Sequence, residues 1–535
     1  MQKSLEHYRW WQKEIIYQIY PRSFQDTNHD GTGDLSGIIR RLDYVQQLGV
    51  HAVWLSPIFT SPMHDFGYDI ADYTDIDPLF GSIQDFDELL AQVHQRDMKL
   101  ILDLVPNHTS HEHPWFQEAR SSRDNPKRDW YIWKDPHPDS TERRPPNNWQ
   151  SVFGGSGWEW DPATEQYYYH AFLKEQPDLN WRNPEVREAM LDVMKFWLDK
   201  GVDGFRIDVI WHLGKDELFR DNPPNPSYQE GQSESARYLN TYSEDQPIVY
   251  DIMAEMRYLV DSYQDRLLIG EIYLPIDRLV TYYGEDNSGV HLPFNFHLIL
   301  TEWKAREIYS LINQYEGALS PDQWPNWVLG NHDQPRIISR TNKRQARLAA
   351  VLLLTLRGTP IMYYGDEIGM HDVSVPPDRQ QDMRNTVSET NRDPQRTPMQ
   401  WSGDPYAGFS SVEPWLPVGD DYPALNVTNA QADSHSMLSF YKSLIALRQQ
   451  YPALQVGEFI PIGLEGELMM YQRVYQEKKM LILINFGLEK VTHTFSGEVT
   501  AEILLSTSGD KKGQAVEGSI ELNEEEALVI DLAVG

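Results

Sequence analysis

Four short segments of this chain end in groups that can hold or move a proton: DLVPNH at 103–108, GFRIDVI at 204–210, GEIY at 270–273 and NHD at 331–333. Cleaving a glycosidic bond through an oxocarbenium-like state needs one carboxylic acid to protonate the leaving oxygen and one carboxylate on the opposite face of the sugar. Asp208 and Glu271 can supply that pair. Arg206 precedes Asp208 by two positions, so on a strand both side chains share a face. A guanidinium there is expected to keep Asp208 ionised and to lower its pKa, as a nucleophile requires. Glu271, in a more shielded setting, is the expected proton donor. Asp333, with His108 and His332, is expected to bind sugar hydroxyls. Taken singly, an Arg-x-Asp on a strand is more often a buried ion pair, and NHD more often a turn or cap. The weight lies in four such segments in one order.

Each segment sits at or just past the end of an apolar run. In a parallel β/α barrel the catalytic groups come from the carboxyl ends of several strands, so scattered segments can converge on one pocket. Candidate strands lie at 15–20, 52–57, 99–106, 204–210, 267–273, 293–296, 326–333 and 361–368, the number a closed (β/α)8 TIM barrel needs. Between them run helical patterns such as SIQDFDELLAQVHQRD, where Ser82 and Asp85 form a capping pair and Ile83, Phe86, Leu89, Leu90 and Val93 an apolar stripe that reads as core packing.

Two insertions interrupt the alternation. Residues 107–172, rich in Pro, Trp, Asn and Gly, are too long for an ordinary connection and are expected to form a lobe over the pocket after the third strand. A Pro- and Arg-rich stretch at about 371–421 follows the eighth strand. The barrel is thus expected to occupy 1–106 and 173–454, and the short strand-like runs of 455–535 a C-terminal all-β sandwich.

Composition narrows the partners. The formal charge is −33, from 47 basic and 80 acidic side chains, which disfavours nucleic acid or an anionic membrane and favours a small neutral ligand. With no cysteine, thiol chemistry and disulfides are excluded. Neither a signal-like stretch nor a membrane-spanning run is visible, so cytoplasmic residence is expected. The 17 Trp and 29 Tyr offer many sugar-stacking faces, yet most are expected to be packing. Nothing in the sequence fixes the oligomeric state.

The loop DTNHDGTGD places Asp26, Asn28, Asp30, Thr32 and Asp34 at alternate positions around Gly31, like the first part of an EF-hand calcium loop. The twelfth position is Gly37, so the bidentate glutamate is missing. A polar turn without an ion is the other reading.

The four segments, with IIYQIYPRSFQD from 15 and TPMQW at 397–401, resemble glycoside hydrolase family 13, the α-amylase family of retaining α-glycosidases. That resemblance implies Asp208 as nucleophile, Glu271 as general acid/base and Asp333 as transition-state stabiliser, with Arg206, His108 and His332 completing the sugar-binding set and Asp103 structural. QPDLN at 176–180 and DFGYD at 65–69 are similar to the exo-acting α-glucosidases and oligo-1,6-glucosidases. By that similarity Asp69 and Arg392 pin the outer hydroxyls of a terminal glucose, Tyr68 stacks on it, and Phe153 and Phe172 either line the pocket or pack within the lobe. Val209 after the nucleophile accompanies α-1,6 activity in such relatives, whereas threonine accompanies α-1,4; the rest of DVIWHLGKDELFRDNPP departs from the oligo-1,6-glucosidase pattern. The resemblance also favours a structural Ca²⁺ or Mg²⁺ in the 26–34 loop, and implies no organic cofactor.

The expected function is a retaining α-glucosidase acting on short malto- and isomalto-type substrates, with sucrose and trehalose as further candidates. A transglucosylase or a sucrose or trehalose isomerase on the same scaffold is the alternative, although the arginine-rich loop familiar from sucrose isomerases is not found. A non-catalytic interaction protein of the transporter-associated kind is disfavoured by the three carboxylates.

Overall fold

The computed structural model describes residues 4–138, 143–232, 234–382, 391–495 and 500–532. Residues 383–390 of the expected loop at 371–421 lie outside the described residues, as do 139–142 of the expected lobe.

Eight runs of buried apolar residues form the parallel strands of a barrel: β1 (Ile16–Ile19), β2 (Ala52–Leu55), β3 (Lys99–Leu104), β4 (Gly204–Ile207), β5 (Leu267–Ile272), β6 (Leu292–Asn295), β7 (Asn326–Val328) and β8 (Thr359–Tyr363). Their hydrogen-bonded order is β6-β5-β4-β3-β2-β1-β8-β7. The ring closes between β6 and β7 through a side chain: Asn326 Oδ1 accepts from the Asn295 N–H at 2.9 Å and Asn326 Nδ2 donates to Pro293 O. Proline has no N–H to extend a ladder at that seam, and the amide replaces the missing rungs. Gly204 is required by close approach, since a Cβ there would stand 2.3 Å from Leu267 O on β5.

Every expected strand is present, but several are shorter than their apolar runs. The candidate at 326–333 leaves the sheet after Val328, and that at 204–210 after Ile207. The polar residues past their ends turn over the barrel mouth, where the Asp208 N–H still bonds to Leu104 O at 2.8 Å and Asn331 bridges to Gln334. Outside the barrel, helices such as Leu35–Leu48, Ile83–Gln95 and Pro184–Lys200 bury one face each. Ile83–Gln95 carries the expected capping box between Ser82 and Asp85, and Phe86, Leu89, Leu90 and Val93 are in the core.

After β3 the chain builds a lobe from helix Pro114–Ser121 and a three-stranded sheet of Trp133–Lys134, Gln166–Tyr169 and Trp158–Asp161. The returning segment stays attached to it through bridges of His108 with Asp178 and Tyr131 with Leu179. The C-terminal region is all-β: a six-stranded sheet from Glu458–Glu465 to Glu526–Leu532, plus a ribbon of Val491–Thr494 with Ser519–Leu522. Among the described residues no helix is long and apolar enough to cross a membrane.

Candidate active site

The carboxyl ends of the strands open on a cavity of about 330 Å³, within the range of small-ligand pockets. Its walls include Asp208, Glu271, Asp333, Tyr68, His108 and Arg392. A larger cavity of about 490 Å³ lies at the amino ends of the strands, among Arg9, Arg257, Asp261 and His291. In barrels of this kind chemistry belongs to the other end.

Arg206 organises the floor. It is completely buried on β4, and its Nη1 donates to Asp208 Oδ1 at 2.6 Å and to Asp103 Oδ1 at 2.9 Å, while Nη2 lies 2.8 Å from Glu271 Oε2. Asp103, at the end of β3, also accepts from Trp54 Nε1 and the Tyr68 hydroxyl. It is therefore a structural anchor that holds Arg206 and Tyr68 in place. Glu271 Oε2 accepts a further bond from the Val209 N–H at 2.9 Å. Val209 achieves this in the left-handed region, with φ 38° and ψ 47°, a strained backbone for a β-branched residue.

Electrostatics here correct one expectation. Arg206 does not hold Asp208 below the usual carboxylate range. Burial, reinforced by the neighbouring Glu271, outweighs the guanidinium and raises the Asp208 pKa well above it. Burial likewise raises Glu271 against the pull of Arg206, and pushes Asp103 up to about 7. The physical reason is arithmetic: three buried carboxyl groups share one guanidinium, and a dry site disfavours the second net negative charge. Asp208 and Glu271 are thus gathered on one guanidinium, through Nη1 at 2.6 Å and Nη2 at 2.8 Å.

Asp333 is held in the opposite manner. Arg396 Nη2 donates to its Oδ1 at 2.8 Å and Arg392 Nη1 at 3.3 Å, and His332 Nε2 lies 3.1 Å from Oδ2. His332, buried among these arginines, has its pKa lowered to about 3, chiefly by burial, so its imidazole is neutral. Tyr68 stacks parallel to that ring at 5.4 Å, with its hydroxyl 2.7 Å from Nε2.

The expected pairing of Arg392 with Asp69 is also corrected. Arg392 Nη2 donates to Asp65 at 2.6 Å, and Asp382 takes a bidentate bond from the same guanidinium. Asp65, not Asp69, faces the cavity. Asp69 is turned inward, where it accepts from Ser61 Oγ and from the N–H groups of His64 and Asp65. Between the two aspartates Phe66 and Gly67 both have positive φ. This tight turn defeats any face assignment by spacing and commits Asp69 to closing the loop.

Phe153 and Phe172 meet edge to face at 5.5 Å and both line the cavity, with the Arg392 guanidinium over the Phe153 ring. His108 and Val209 are also in its wall. Sequence reasoning missed Tyr273, Trp211, His212, Glu244 and Arg396. Tyr273 was within reach, because it follows Glu271 by two positions. Glu244 stands on the long loop after β4, 3.3 Å from His212 Nε2, with its pKa raised to about 7 by burial; no periodicity marks it.

The 26–34 loop lies away from this cavity. All four lone-pair positions of Asp34 are used by Thr27 N, Thr27 Oγ1, Asn28 N and Gly37 N, the last as the N-cap of helix Leu35–Leu48. Asp26 accepts from His29 N, Gly31 N and Ser410 Oγ. Asn28 and Asp30 are joined by an Nδ2–Oδ2 bond of 2.9 Å, while Thr32 N donates to Asp30 Oδ1. The free lone pairs of Asp26, Asn28 and Asp30 are hard oxygen donors that suit Ca²⁺ or Mg²⁺.

Comparison with known proteins follows the same lines. The family described as Alpha amylase, catalytic domain matches residues 18–457. A probable alpha-glucosidase of Rhizobium meliloti is 40% identical over 502 residues, covering 90% of each chain. An oligo-1,6-glucosidase of Heyndrickxia coagulans is 40% identical over 521 residues, covering 89% of this chain and 92% of its own. Among solved structures, the alpha-glucosyl transfer enzyme XgtA superposes with a TM-score of 0.92 at 37% identity, covering 98% of this chain and 100% of the other. A trehalulose synthase, MutB, does so with a TM-score of 0.91 at 32% identity and the same coverage.

Proposed function

This chain belongs to the α-amylase family and is a glycoside hydrolase, and from that premise we propose that it is a retaining α-glucosidase releasing α-glucose from the non-reducing ends of short α-glucosides. The observation that carries the reading is that one buried guanidinium holds both carboxylates, Arg206 Nη1 reaching Asp208 at 2.6 Å and Nη2 reaching Glu271 at 2.8 Å. Two carboxyl groups gathered on one guanidinium suit the ~5–5.5 Å spacing of a retaining pair better than the ~6.5–9.5 Å gap that inversion needs. Glu271, whose Oε2 is anchored by Val209 and Arg206, presents Oε1 to protonate the leaving oxygen. Asp208, held by Arg206, attacks the anomeric carbon to give a glucosyl-aspartate, and Glu271 then deprotonates the water that releases glucose. Asp333 and the neutral His332 bind hydroxyls of the same ring, and Asp65 with Arg392 closes the far wall, so that only chain ends enter.

Transfer to a sugar acceptor is the second reading, because a covalent glucosyl-enzyme can be captured by either nucleophile. The likeness to an alpha-glucosyl transfer enzyme and to a trehalulose synthase supports it. Mass spectrometry after incubation with 5-fluoro-α-glucosyl fluoride tests the shared core: a glucosyl adduct on the peptide bearing Asp208 is expected, and an adduct elsewhere, or none, would reject it. Product analysis with sucrose separates the two fates, free glucose and fructose for hydrolysis, a rearranged disaccharide for isomerisation.

We further propose that Asp26, Asn28, Asp30 and Thr32 hold a structural Ca²⁺ or Mg²⁺ that braces the loop after β1 without entering the chemistry. Chelation should then lower Tm reversibly while kcat below the transition stays constant; an unchanged Tm would remove the ion.

A further inference from the structure

His64 and His111 each present a ring nitrogen, and Glu112 a carboxylate oxygen, all within 4.8 Å of one another. Among the described residues this is the one group of three or more His, Asp or Glu side chains with such spacing. The two rings lie 5.4 Å apart and tilted by 39°. Glu112 lies 3.9 Å from His111 Nε2, and no protein hydrogen bond among the described residues occupies a ring nitrogen of either histidine. Both imidazoles are half-buried on backbones that are already fixed. The His64 N–H donates to Asp69 Oδ2 at 2.9 Å, the His111 N–H to Glu175 O at 2.8 Å and the Glu112 N–H to Ser110 Oγ at 3.0 Å.

We propose that His64, His111 and Glu112 form a binding site for Zn²⁺ or a similar transition-metal ion, separate from the carboxylate pocket and from the 26–34 loop. Two imidazoles and one carboxylate are a borderline-soft donor set that suits zinc and leaves a fourth position for water. Tetrahedral zinc with ligands at about 2.0–2.1 Å wants donors roughly 3.3 Å apart. The donors stand within 4.8 Å of one another, and Glu112 is exposed, so its carboxylate can turn toward an ion held by the two imidazoles.

The position gives the site a consequence. His64 belongs to the 61–69 loop and His111 to the first turn of the lobe, so one ion staples the two segments that flank the pocket. His64 immediately precedes Asp65, whose carboxylate pairs with Arg392 at 2.6 Å. Metal at His64 therefore stiffens the wall that Asp65 and Arg392 form.

Titration of the full chain with ZnCl₂ by calorimetry, after chelator treatment and with excess Ca²⁺ to saturate hard-cation loops, tests this directly. One equivalent is expected to bind, with affinity reduced at least about 100-fold in His64→Ala/His111→Ala and unchanged in the surface control His435→Ala. Co²⁺ in place of Zn²⁺ should give the intense visible absorption of a tetrahedral site in the wild type and lose it in the double variant. Zinc is also expected to raise Tm in the wild type only. Identical isotherms for wild type and double variant, or a six-coordinate Co²⁺ spectrum in both, would overturn the site whatever the enzyme's substrate proves to be.

Discussion

Arg206 Nη1 lies 2.6 Å from Asp208 Oδ1, yet this bond does not determine the aspartate's charge. The same guanidinium also serves Asp103 and Glu271, and the cluster as a whole is starved of positive charge. Arg206 is therefore a scaffold: it brings three strand ends to one point and fixes their carboxyl groups in register.

Replacing Arg206 by Met should leave those carboxyl groups buried without a counter-ion, at a cost of about 3–5 kcal/mol in unfolding free energy. The loss should grow with pH. A carboxyl whose folded pKa is raised, as Asp103 is to about 7, destabilises the fold progressively as pH climbs from the ordinary carboxylate range towards that value. Urea unfolding at pH 5 and pH 8 reads the difference; equal losses at both would refute the scaffold role.

Asp208→Asn should reduce turnover by at least about 10⁴-fold with the fold intact. Because Asp208 is raised well above its ordinary pKa, the wild type carries a stability cost at neutral pH that is absent in acid. The Tm of the variant relative to wild type should therefore rise between about pH 4 and pH 7. A relative Tm that falls over this range would mean that Asp208 is stabilised by ionisation after all.

Much of this is legible in the sequence. The eight strands and the four motif segments show as apolar runs with polar ends, and Arg206 with Asp208 follows from period-two geometry. Asp69 was misassigned because it lies in a turn with two positive-φ residues, where spacing carries no direction. The charge state of Asp208 was unreadable for a different reason. Arg206 is adjacent in sequence, but Glu271 and Asp103, which reverse its effect, arrive from other strands.

The reassigned wall has its own test. Asp65→Asn should weaken the grip on the terminal sugar by about 1.5–3 kcal/mol, roughly 10- to 150-fold in kcat/KM. Asp69→Asn should instead lower Tm while KM stays within about twofold. The reverse pattern would restore Asp69 to the pocket.

Val209 lines the cavity beside Glu271, and its N–H holds that carboxylate. Val209→Thr keeps the shape and adds a hydroxyl next to the proton donor. The ratio of kcat/KM for isomaltose to that for maltose should drop by about tenfold; an unchanged ratio would place linkage preference on other walls, such as the loop bearing Glu244.

The central claim is retention at the anomeric carbon through Asp208 and Glu271. Proton NMR of the first turnovers on maltose and isomaltose, faster than mutarotation, tests it most directly. The account predicts that glucose appears first as the α-anomer. Initial release of β-glucose would contradict it, because that outcome requires room for a water between two carboxyl groups that Arg206 holds together.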